Sequence, residues 1–273
     1  MIILAATPIG NLADASARLR TALAEATVIA AEDTRTTQRL LQALGIENRP
    51  RLIALHDHNE KARSGELVEL AREQDLLVLS DAGMPTVSDP GYGLVAAATA
   101  AGVEVTALPG PSAVVTALAV AGLPTDRFTF EGFPPRKPGE RRKTFAALQH
   151  EQRTMVFFEG PSRLADTLEA MAAAFGEDRP AAVCRELTKL HEEVRRGPLG
   201  ELAGWAQGGV RGEIVVVVGG AGVREVAPED AVAQVLALVA DGIRLKDAAG
   251  EVASQTGMSS RELYQAALAA RKA

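Results

Sequence analysis

Short apolar runs alternate with amphipathic stretches along the first half of the chain. The runs have the length of buried strands, and the stretches between them repeat their apolar positions at helical spacing. This alternation predicts an α/β fold with a mostly parallel sheet and helices on both faces. The predicted strands cover residues 2–6, 28–31, 52–55, 76–79 and 103–108. The predicted helices are one capped by Asp14 and three over residues 36–44, 60–73 and 113–123.

The pattern changes after Pro124, where the apolar runs follow one another more closely. Short spacing between runs, with few helices among them, favours a mixed sheet. The predicted strands there cover residues 127–131, 154–158, 181–185, 193–196 and 213–218. The predicted helices cover residues 161–175 and 198–207, and another begins near Gly139.

Beyond Gly222 the pattern is wholly helical. It predicts helices over residues 228–240, 245–256 and 260–270, and Ser259 and Glu262 have the spacing of a capping box. The last two helices resemble a helix-turn-helix, a pattern that leaves both a plain helical appendage and an RNA-contacting one open. The sequence thus predicts three units: two α/β domains, residues 1–123 and 124–222, and a small helical appendage, residues 223–273.

Composition agrees with α/β layers built from Ala, Val and Leu, since the 273 residues are 47% hydrophobic and only 4% aromatic. No apolar run reaches the ~18 residues of a membrane-spanning helix. The chain also enters its first strand without a basic leader, so we expect a cytoplasmic protein with no membrane partner. Cys184 is the only cysteine, which excludes an internal disulfide and a cysteine zinc site, and we expect it to be buried.

Two predicted strands end in small and turn-forming residues. The run that ends at Leu79 stops at Ser80-Asp81-Ala82-Gly83, and the next strand runs into Pro109-Gly110-Pro111-Ser112. Such residues let a backbone approach a ligand closely, and the carboxyl edge of a parallel sheet is where ligands bind. We therefore expect one small-molecule site there. Because no GxGxxG follows the first strand and no GxxxxGK occurs, a dinucleotide fingerprint and a P-loop are both unsupported.

Ten sequence blocks in order carry a family resemblance. They are ATPIGNL, EDTRTT, LHDHNE, SDAGMPTVSDPG, LPGPSAVVTAL, AGLPTDRFTFEGFPPRK, GERRK, FFEGPSRL, ELTKLHEEVRRG and GEIVVVV. With them the chain resembles the bacterial 16S rRNA (cytidine 2′-O)-methyltransferases of the tetrapyrrole methylase superfamily. The resemblance implies a tetrapyrrole-methylase-like fold, a homodimer, and 16S rRNA or the small ribosomal subunit as partner.

The resemblance also implies that the two α/β domains hold S-adenosylmethionine in the cleft between them. The residues it places at the cofactor are Pro8, Ser80, Asp81, Ala82, Gly83, Met84, Ser112, Ala113, Phe158, Leu187, Gly212, Glu213 and Ile214. The activity it implies is 2′-O-methylation of a cytidine in the decoding region of the small-subunit RNA. Because a ribose hydroxyl is a poor nucleophile at neutral pH, a nearby group that accepts its proton would assist the transfer.

Two polar clusters at predicted strand ends offer such groups. They are Glu32-Asp33-Thr34-Arg35 and His56-Asp57-His58-Asn59-Glu60. We expect the base to be Asp33, then Glu60, then His58 in order of preference. The first cluster also fits an ordinary helix start with Asp33 or Thr34 as its cap. The second could suggest a metal site, but no third ligand follows at a recognisable spacing, so no metal is expected.

Two cations complete the catalytic candidates. Lys189 could orient the acceptor or bind phosphate, and its alternative is a solvated lysine. Arg35 could bind RNA phosphate or pair with an acid on a neighbouring helix.

Charge adds one further feature. The chain carries a net charge of −6, which argues against nonspecific nucleic-acid binding, yet residues 136–143 hold five basic residues and one acid. This segment predicts a phosphate contact through Arg136, Lys137, Arg141, Arg142 and Lys143. Two alternatives stay open: a related tetrapyrrole, corrinoid or diphthamide methylase, which has little need of the segment, and a ligand-sensing helix-turn-helix regulator.

Overall fold

The computed structural model describes residues 1–56, 58–222 and 227–271, without the side chains of residues 254 and 255. Its first half forms a parallel five-stranded sheet in the order β3-β2-β4-β1-β5, which confirms the predicted parallel sheet. The strands are β1 (Ile2–Ala5), β2 (Val28–Ala31), β3 (Arg51–Ala54), β4 (Leu76–Leu79) and β5 (Val105–Leu108). The helices are α1 (Ala17–Glu25), α2 (Thr34–Ala43), α3 (Glu60–Glu73), α4 (Tyr92–Ala100) and α5 (Ala113–Ala121).

The central strands place apolar side chains on both faces of this sheet, which explains why helices cover both faces. Every residue of β2 and β4 is buried. Successive side chains of a strand point to opposite faces. Leu76 and Val78 accordingly join one apolar cluster, whereas Leu77 and Leu79 join another on the opposite face.

The second half forms a mixed sheet in the order β6-β7-β10-β8-β9, as the close spacing predicts. Among the strands that the structure describes in this sheet, only β6 and β7 pair in parallel. The strands are β6 (Phe128–Gly132), β7 (Thr154–Glu159), β8 (Pro180–Arg185), β9 (Glu193–Pro198) and β10 (Ile214–Val218). The helices are α6 (Pro138–Leu148), α7 (Leu164–Phe175) and α8 (Leu199–Ala206).

The two halves are joined by α5. This helix follows the last strand of the first sheet, but its buried residues pack on the second sheet. Val114, Ala117 and Leu118 lie in one apolar cluster with Val156 and Val217. The predicted division at residue 123 therefore falls just after a helix that both halves use.

Three helices follow the second sheet: α9 (Pro228–Ala240), α10 (Leu245–Thr256) and α11 (Ser260–Ala270), with the bounds that the sequence predicts. They share a small apolar core of their own, which includes Val235, Val252 and Leu263. The Ser259 side chain accepts a hydrogen bond from the Glu262 backbone N–H at 3.4 Å, which is one half of the predicted capping box. Within the described residues, no helix is both long and apolar enough to cross a bilayer.

Two local predictions in the first half are wrong. Asp14 does not cap α1; it ends a short 3-10 helix, and Ser16 caps α1 by accepting from the Leu19 N–H at 3.0 Å. Helix α4 was not predicted because its sequence, YGLVAAATA, has no polar side to give an amphipathic period.

Candidate active site

A cavity of about 420 Å³ lies between the two sheets, at the carboxyl ends of β1, β4 and β5. This volume falls in the ~300–1,000 Å³ range of small-molecule sites. Most of the predicted cofactor residues line it: Ala82, Gly83, Met84, Ser112, Ala113, Phe158, Leu187, Gly212, Glu213 and Ile214. Pro8, Ser80 and Asp81 do not line it; they belong to the segments that support the lining. Both halves of the chain contribute to one site.

The wall after β4 is tied to the end of β1. Thr7 and Gly83 exchange two backbone hydrogen bonds, at 2.9 and 3.1 Å. The Ser80 hydroxyl donates to the Gly83 carbonyl at 3.2 Å, which fixes the same turn. Gly83 has φ +80°, and a Cβ there would lie 3.4 Å from Ile9. The turn therefore needs glycine, and it presents Ala82 to Met84 to the cavity.

The amino end of α5 forms a second part of the wall. Ser112 is its N-cap residue but makes no side-chain capping bond, so the first N–H groups of the helix have no partner from this side chain. Gly110, just before it, packs so closely on β1 that a Cβ would lie 2.9 Å from the Ala6 Cβ. The helix start is thereby held against the cavity and offers hydrogen-bond donors to an anionic group.

A network of charged side chains fixes the wall from the second half. The Glu186 carboxylate accepts from the Glu213 N–H and from Lys189 Nζ, both at 2.9 Å, and Lys189 also pairs with Glu213 at 3.1 Å. The Glu213 N–H, followed by Lys189, lowers the pKa of Glu186. Partial burial on its own lowers the pKa of Lys189. The hydrogen bonds from Lys189 to the Glu186 and Glu213 carboxylates outweigh the effect of burial, so the pKa is raised. Lys189 is therefore a fixed, paired cation and not a solvated one.

Backbone strain is concentrated in the two loops that face each other across the cavity. Among the described residues, the non-glycine positions with positive φ are Thr86, Ser88, Glu186 and Thr188. Each such conformation costs on the order of 1–3 kcal/mol and persists only where the surroundings enforce it. Strain of this kind is typical of ligand-binding sites.

The structure does not support Asp33 as a proton acceptor. Its side chain caps α2 by accepting from the Arg35 N–H at 2.8 Å, and it pairs with the Arg35 guanidinium at 2.9 Å. The guanidinium, followed by that N–H, lowers the pKa of Asp33 to about 2. A catalytic base works best with a pKa near the working pH. The helix-start interpretation of this cluster is the one that the geometry favours.

The Glu32–Arg35 cluster contacts Asp81, the residue before the lining residues Ala82–Met84, through one backbone group and one side chain. Asp81 accepts from the Asp33 N–H at 3.3 Å, and Glu32 accepts from the Asp81 N–H at 3.4 Å. Burial removes water from around Asp81 and raises the pKa of its carboxyl group, although the hydrogen bond from the Asp33 N–H acts to lower it. Arg35 itself, with 80% of its side chain exposed, pairs with Asp33 and does not line the cavity.

We expect Asp33→Asn to leave the pH profile of activity unchanged. The lowered pKa keeps the carboxylate ionised at neutral pH, so its contribution to stability is present above its unfolded pKa of ~3.9 and is lost only as the pH falls through about 2. Asn caps helices as well as Asp does. Methyl-transfer rates measured from about pH 5 to 9 check this. A fall in rate toward low pH that is seen in the wild type and is absent from the variant would restore Asp33 as the base.

Glu60 is also used structurally. Its Oε1 accepts from the Gly91 and Leu94 N–H groups, each at 3.0 Å, and so caps α4 from a neighbouring helix. This geometry gives Glu60 a structural role, because its carboxylate holds the end of the residue 84–91 loop, and its role as a base stays a prediction. His58 lies exposed in the turn before α3 and does not line the cavity.

The metal alternative finds no support among the described residues, where no three His, Cys, Asp or Glu side chains form a group that could hold an ion. Asp57, a member of the cluster that suggested it, lies outside the described residues. Cys184 is buried, as predicted, and lines the cavity. Burial raises the pKa of its thiol to about 11, so it stays protonated and unreactive.

The predicted basic segment is exposed except at one residue. Arg136, Lys137, Arg142 and Lys143 are exposed and are called here the basic surface. Arg141 does not belong to it, because the residue is only 6% exposed and its nearest acid, Asp166, is 4.0 Å away. Helical periodicity turns Arg141 inward, as it does Phe145 one turn later, so the geometry does not favour Arg141 as an RNA contact, and that role stays a prediction.

Sequence reasoning missed several residues that line the cavity. Among them are Ile9, Val87, Asp89, Phe133, Glu159 and Cys184. Glu159 is fully buried and bonded to the Gly160 N–H, Arg163 and Thr167 at 2.6–3.0 Å, so it supports the wall. The signal for five of them was present, since Ile9, Val87, Asp89, Phe133 and Glu159 stand inside the blocks that carry the resemblance.

Known protein families and solved structures are similar to this chain in sequence and in fold. The family described as Tetrapyrrole (Corrin/Porphyrin) Methylases matches residues 1–203, and the RsmI C-terminal HTH domain matches residues 225–271. The fold is similar to the crystal structure of the methyltransferase CobJ, with a TM-score of 0.59 and 25% identity over 83% of this chain and 97% of that one.

Another similar fold is that of a Thermus thermophilus uroporphyrin-III C-methyl transferase complexed with S-adenosylhomocysteine. It has a TM-score of 0.55 and 19% identity over 80% of this chain and 96% of that one. In sequence, the chain is 53% identical to the Mycobacterium tuberculosis protein named Ribosomal RNA small subunit methyltransferase I, over 99% of this chain and 95% of that protein. The chain therefore belongs to the tetrapyrrole methylase family and, within it, to the group of proteins that carry that name.

Proposed function

We propose that this protein transfers a methyl group from S-adenosylmethionine to the 2′-oxygen of a cytidine in the decoding region of small-subunit ribosomal RNA. The name of the Mycobacterium tuberculosis relative supports the coarser activity, methylation of small-subunit ribosomal RNA. The observation that carries the proposal is that the wall of a cavity of cofactor size continues along the chain into the basic surface. Phe133 lines the cavity, and Arg136 and Lys137 follow it by three and four residues.

The lining residues fit S-adenosylmethionine. Gly83 and Gly212 line the cavity and both have positive φ, so each half of the chain contributes a glycine turn to its wall. The first N–H groups of α5, which the Ser112 side chain does not cap, suit the cofactor's carboxylate. Phe158, Leu187 and Ile214 offer apolar surface for its adenosine.

Once bound, S-adenosylmethionine supplies a methyl group on a positively charged sulfur. The chain's own task is to hold the acceptor oxygen in line with that methyl group. Orientation in a bound complex can lower a barrier by ~7–11 kcal/mol. The walls fixed by Glu186 and Glu60 provide the rigidity that such alignment requires, and the apolar lining excludes water. Lys189 keeps its proposed role as an orienting charge next to the cavity.

Transfer of tritium from labelled S-adenosylmethionine tests the proposal. The acceptors are small ribosomal subunits, free 16S RNA, a tetrapyrrole and a protein bearing a diphthamide intermediate. We expect label in ribosomal RNA, released on digestion as 2′-O-methylcytidine. Label in the tetrapyrrole or the protein alone would assign the chain to a different methylase. Two results together would favour the regulator. The first is that no acceptor receives label. The second is that RNA binding is lost on deletion of residues 228–271 but is unaffected by substitution of Asp81.

The basic surface should contribute to RNA affinity through phosphate contacts. We expect the double variant Arg142→Ala, Lys143→Ala to bind RNA more weakly and to reduce the salt slope by ~0.7 logarithmic units per lost contact. Filter binding at several salt concentrations measures this. The matched control is Arg49→Ala, Arg51→Ala, which removes two exposed cations at the amino edge of the first sheet, opposite the cavity. Equal slopes for both double variants would remove the basic surface from the interface.

We further propose a homodimer that brings two basic surfaces to one RNA-facing side, since each chain carries a net charge of −6. Sedimentation at micromolar concentration tests the dimer. A cytoplasmic location, and the division of the chain into units 1–123, 124–222 and 223–273, stay predictions.

A further inference from the structure

Two exposed apolar side chains stand at the mouth of the cavity. Among the described residues, nine large apolar side chains are exposed, and only Val87 and Phe133 of these also line the cavity. Val87 is 41% exposed and Phe133 is 59% exposed. Val87 comes from the loop after β4, whereas Phe133 follows β6, so the two halves of the chain each contribute one of them.

The ring of Phe133 is held in place. It packs edge-on against Phe158 with ring centroids 5.5 Å apart, and Phe158 packs against Phe130 at 4.8 Å. The next residue, Pro134, is buried, and its carbonyl accepts from Arg163 at 2.6 Å. An aromatic ring that is fixed but uncovered offers a flat apolar face for a ligand.

The surroundings of this ring match a nucleotide. Arg136 and Lys137 follow Phe133 closely, and the side chain of Lys137 is 80% exposed. A flat aromatic face next to exposed cations is how proteins take up unstacked bases with their phosphates. The cavity behind, at about 420 Å³, has the size for the cofactor alone, which leaves the mouth for the acceptor.

We propose that Phe133 and Val87 hold the base of the target nucleotide between them, unstacked from its neighbours. This inference rests on the proposed function and adds the form of the substrate: a single-stranded or extruded nucleotide whose base stacks on Phe133. The ribose of that nucleotide then faces the cavity. Phe133 is thereby a substrate-binding residue that selects RNA with an accessible base.

The test compares Phe133→Ala and Phe133→Tyr with the wild-type chain. We expect Phe133→Ala to raise KM for RNA by ~5- to 150-fold, the range for loss of one base–aromatic stack. Phe133→Tyr, which keeps the ring, should stay within ~3-fold of wild type. Binding of S-adenosylhomocysteine, measured by calorimetry without RNA, should be unchanged in both variants and also reports that they are folded.

The control is Phe128→Ala, which removes a ring that is 42% exposed on the same strand region but does not line the cavity. It should leave KM for RNA unchanged. Unaltered KM in Phe133→Ala, with an active wild type, overturns the base contact and leaves the proposed function standing. A parallel loss of S-adenosylhomocysteine binding also overturns it, since the ring then serves the cofactor. If the wild type methylates no RNA, the proposed function itself fails.

Discussion

Gly212→Ala is expected to lower the affinity for S-adenosylmethionine by ~5- to 150-fold. Gly212 has φ +93°, and a Cβ there would lie 2.5 Å from Glu186 Cγ. Glu186 cannot simply turn away, because it is bonded to the Glu213 N–H and to Lys189. The native loop would therefore cost ~1–3 kcal/mol more to form, and the fraction of molecules able to bind would fall accordingly.

Calorimetric titration with S-adenosylhomocysteine measures this loss. The matched control is Gly204→Ala on α8, where a Cβ meets nothing within 4 Å. Alanine favours a helix over glycine, so this control should bind normally and be as stable as the wild type or more so. Normal affinity in Gly212→Ala would mean that the loop does not form the cofactor wall.

Glu60→Ala is expected to lower the free energy of unfolding by about 2–3 kcal/mol. The substitution leaves the Gly91 and Leu94 N–H groups without the carboxylate that caps α4, and a hydrogen bond to a charged group contributes ~1.5–3 kcal/mol. Affinity for the cofactor should fall as well, because the loop ending at Gly91 forms part of the cavity wall. Urea unfolding followed by circular dichroism gives the stability.

Glu60→Gln keeps an oxygen acceptor at the same place and should recover most of the loss. Glu73→Ala, at the exposed far end of α3, should change stability by less than ~0.5 kcal/mol. A Glu60→Ala variant that is fully stable yet inactive would contradict the capping role and return Glu60 to the chemistry.

The strands and the site edge could be predicted from the sequence because local chemistry determines them. The run Leu76–Leu79 is apolar on both faces, as a central parallel strand must be, and Gly83 follows it where the backbone turns toward the cavity. Such signals are contained in a few consecutive residues, so the pattern alone locates the edge at which the cavity forms.

The roles of the polar residues could not be predicted, because their partners are distant in sequence. Glu60 bonds to residues 31 and 34 positions away, which turns a candidate base into a cap. Arg141 belongs to a run of cations, yet packing of α6 buries it. Phe133 stands inside a block that carries the resemblance, but its exposure next to the cavity could not be predicted, because it arises only when both halves are assembled.

The packing of α5 against the second sheet limits how a substrate can enter the cavity. If the two halves of the chain moved apart at the junction after residue 123, Val114 and Leu118 would lose their contacts with Val156 and Val217. Exposure of each such side chain to water costs ~1.5–3 kcal/mol, so separation of the two halves at this junction is disfavoured. Access must come instead from the surface loops, and cutting the backbone near residue 123 should yield two fragments that stay associated.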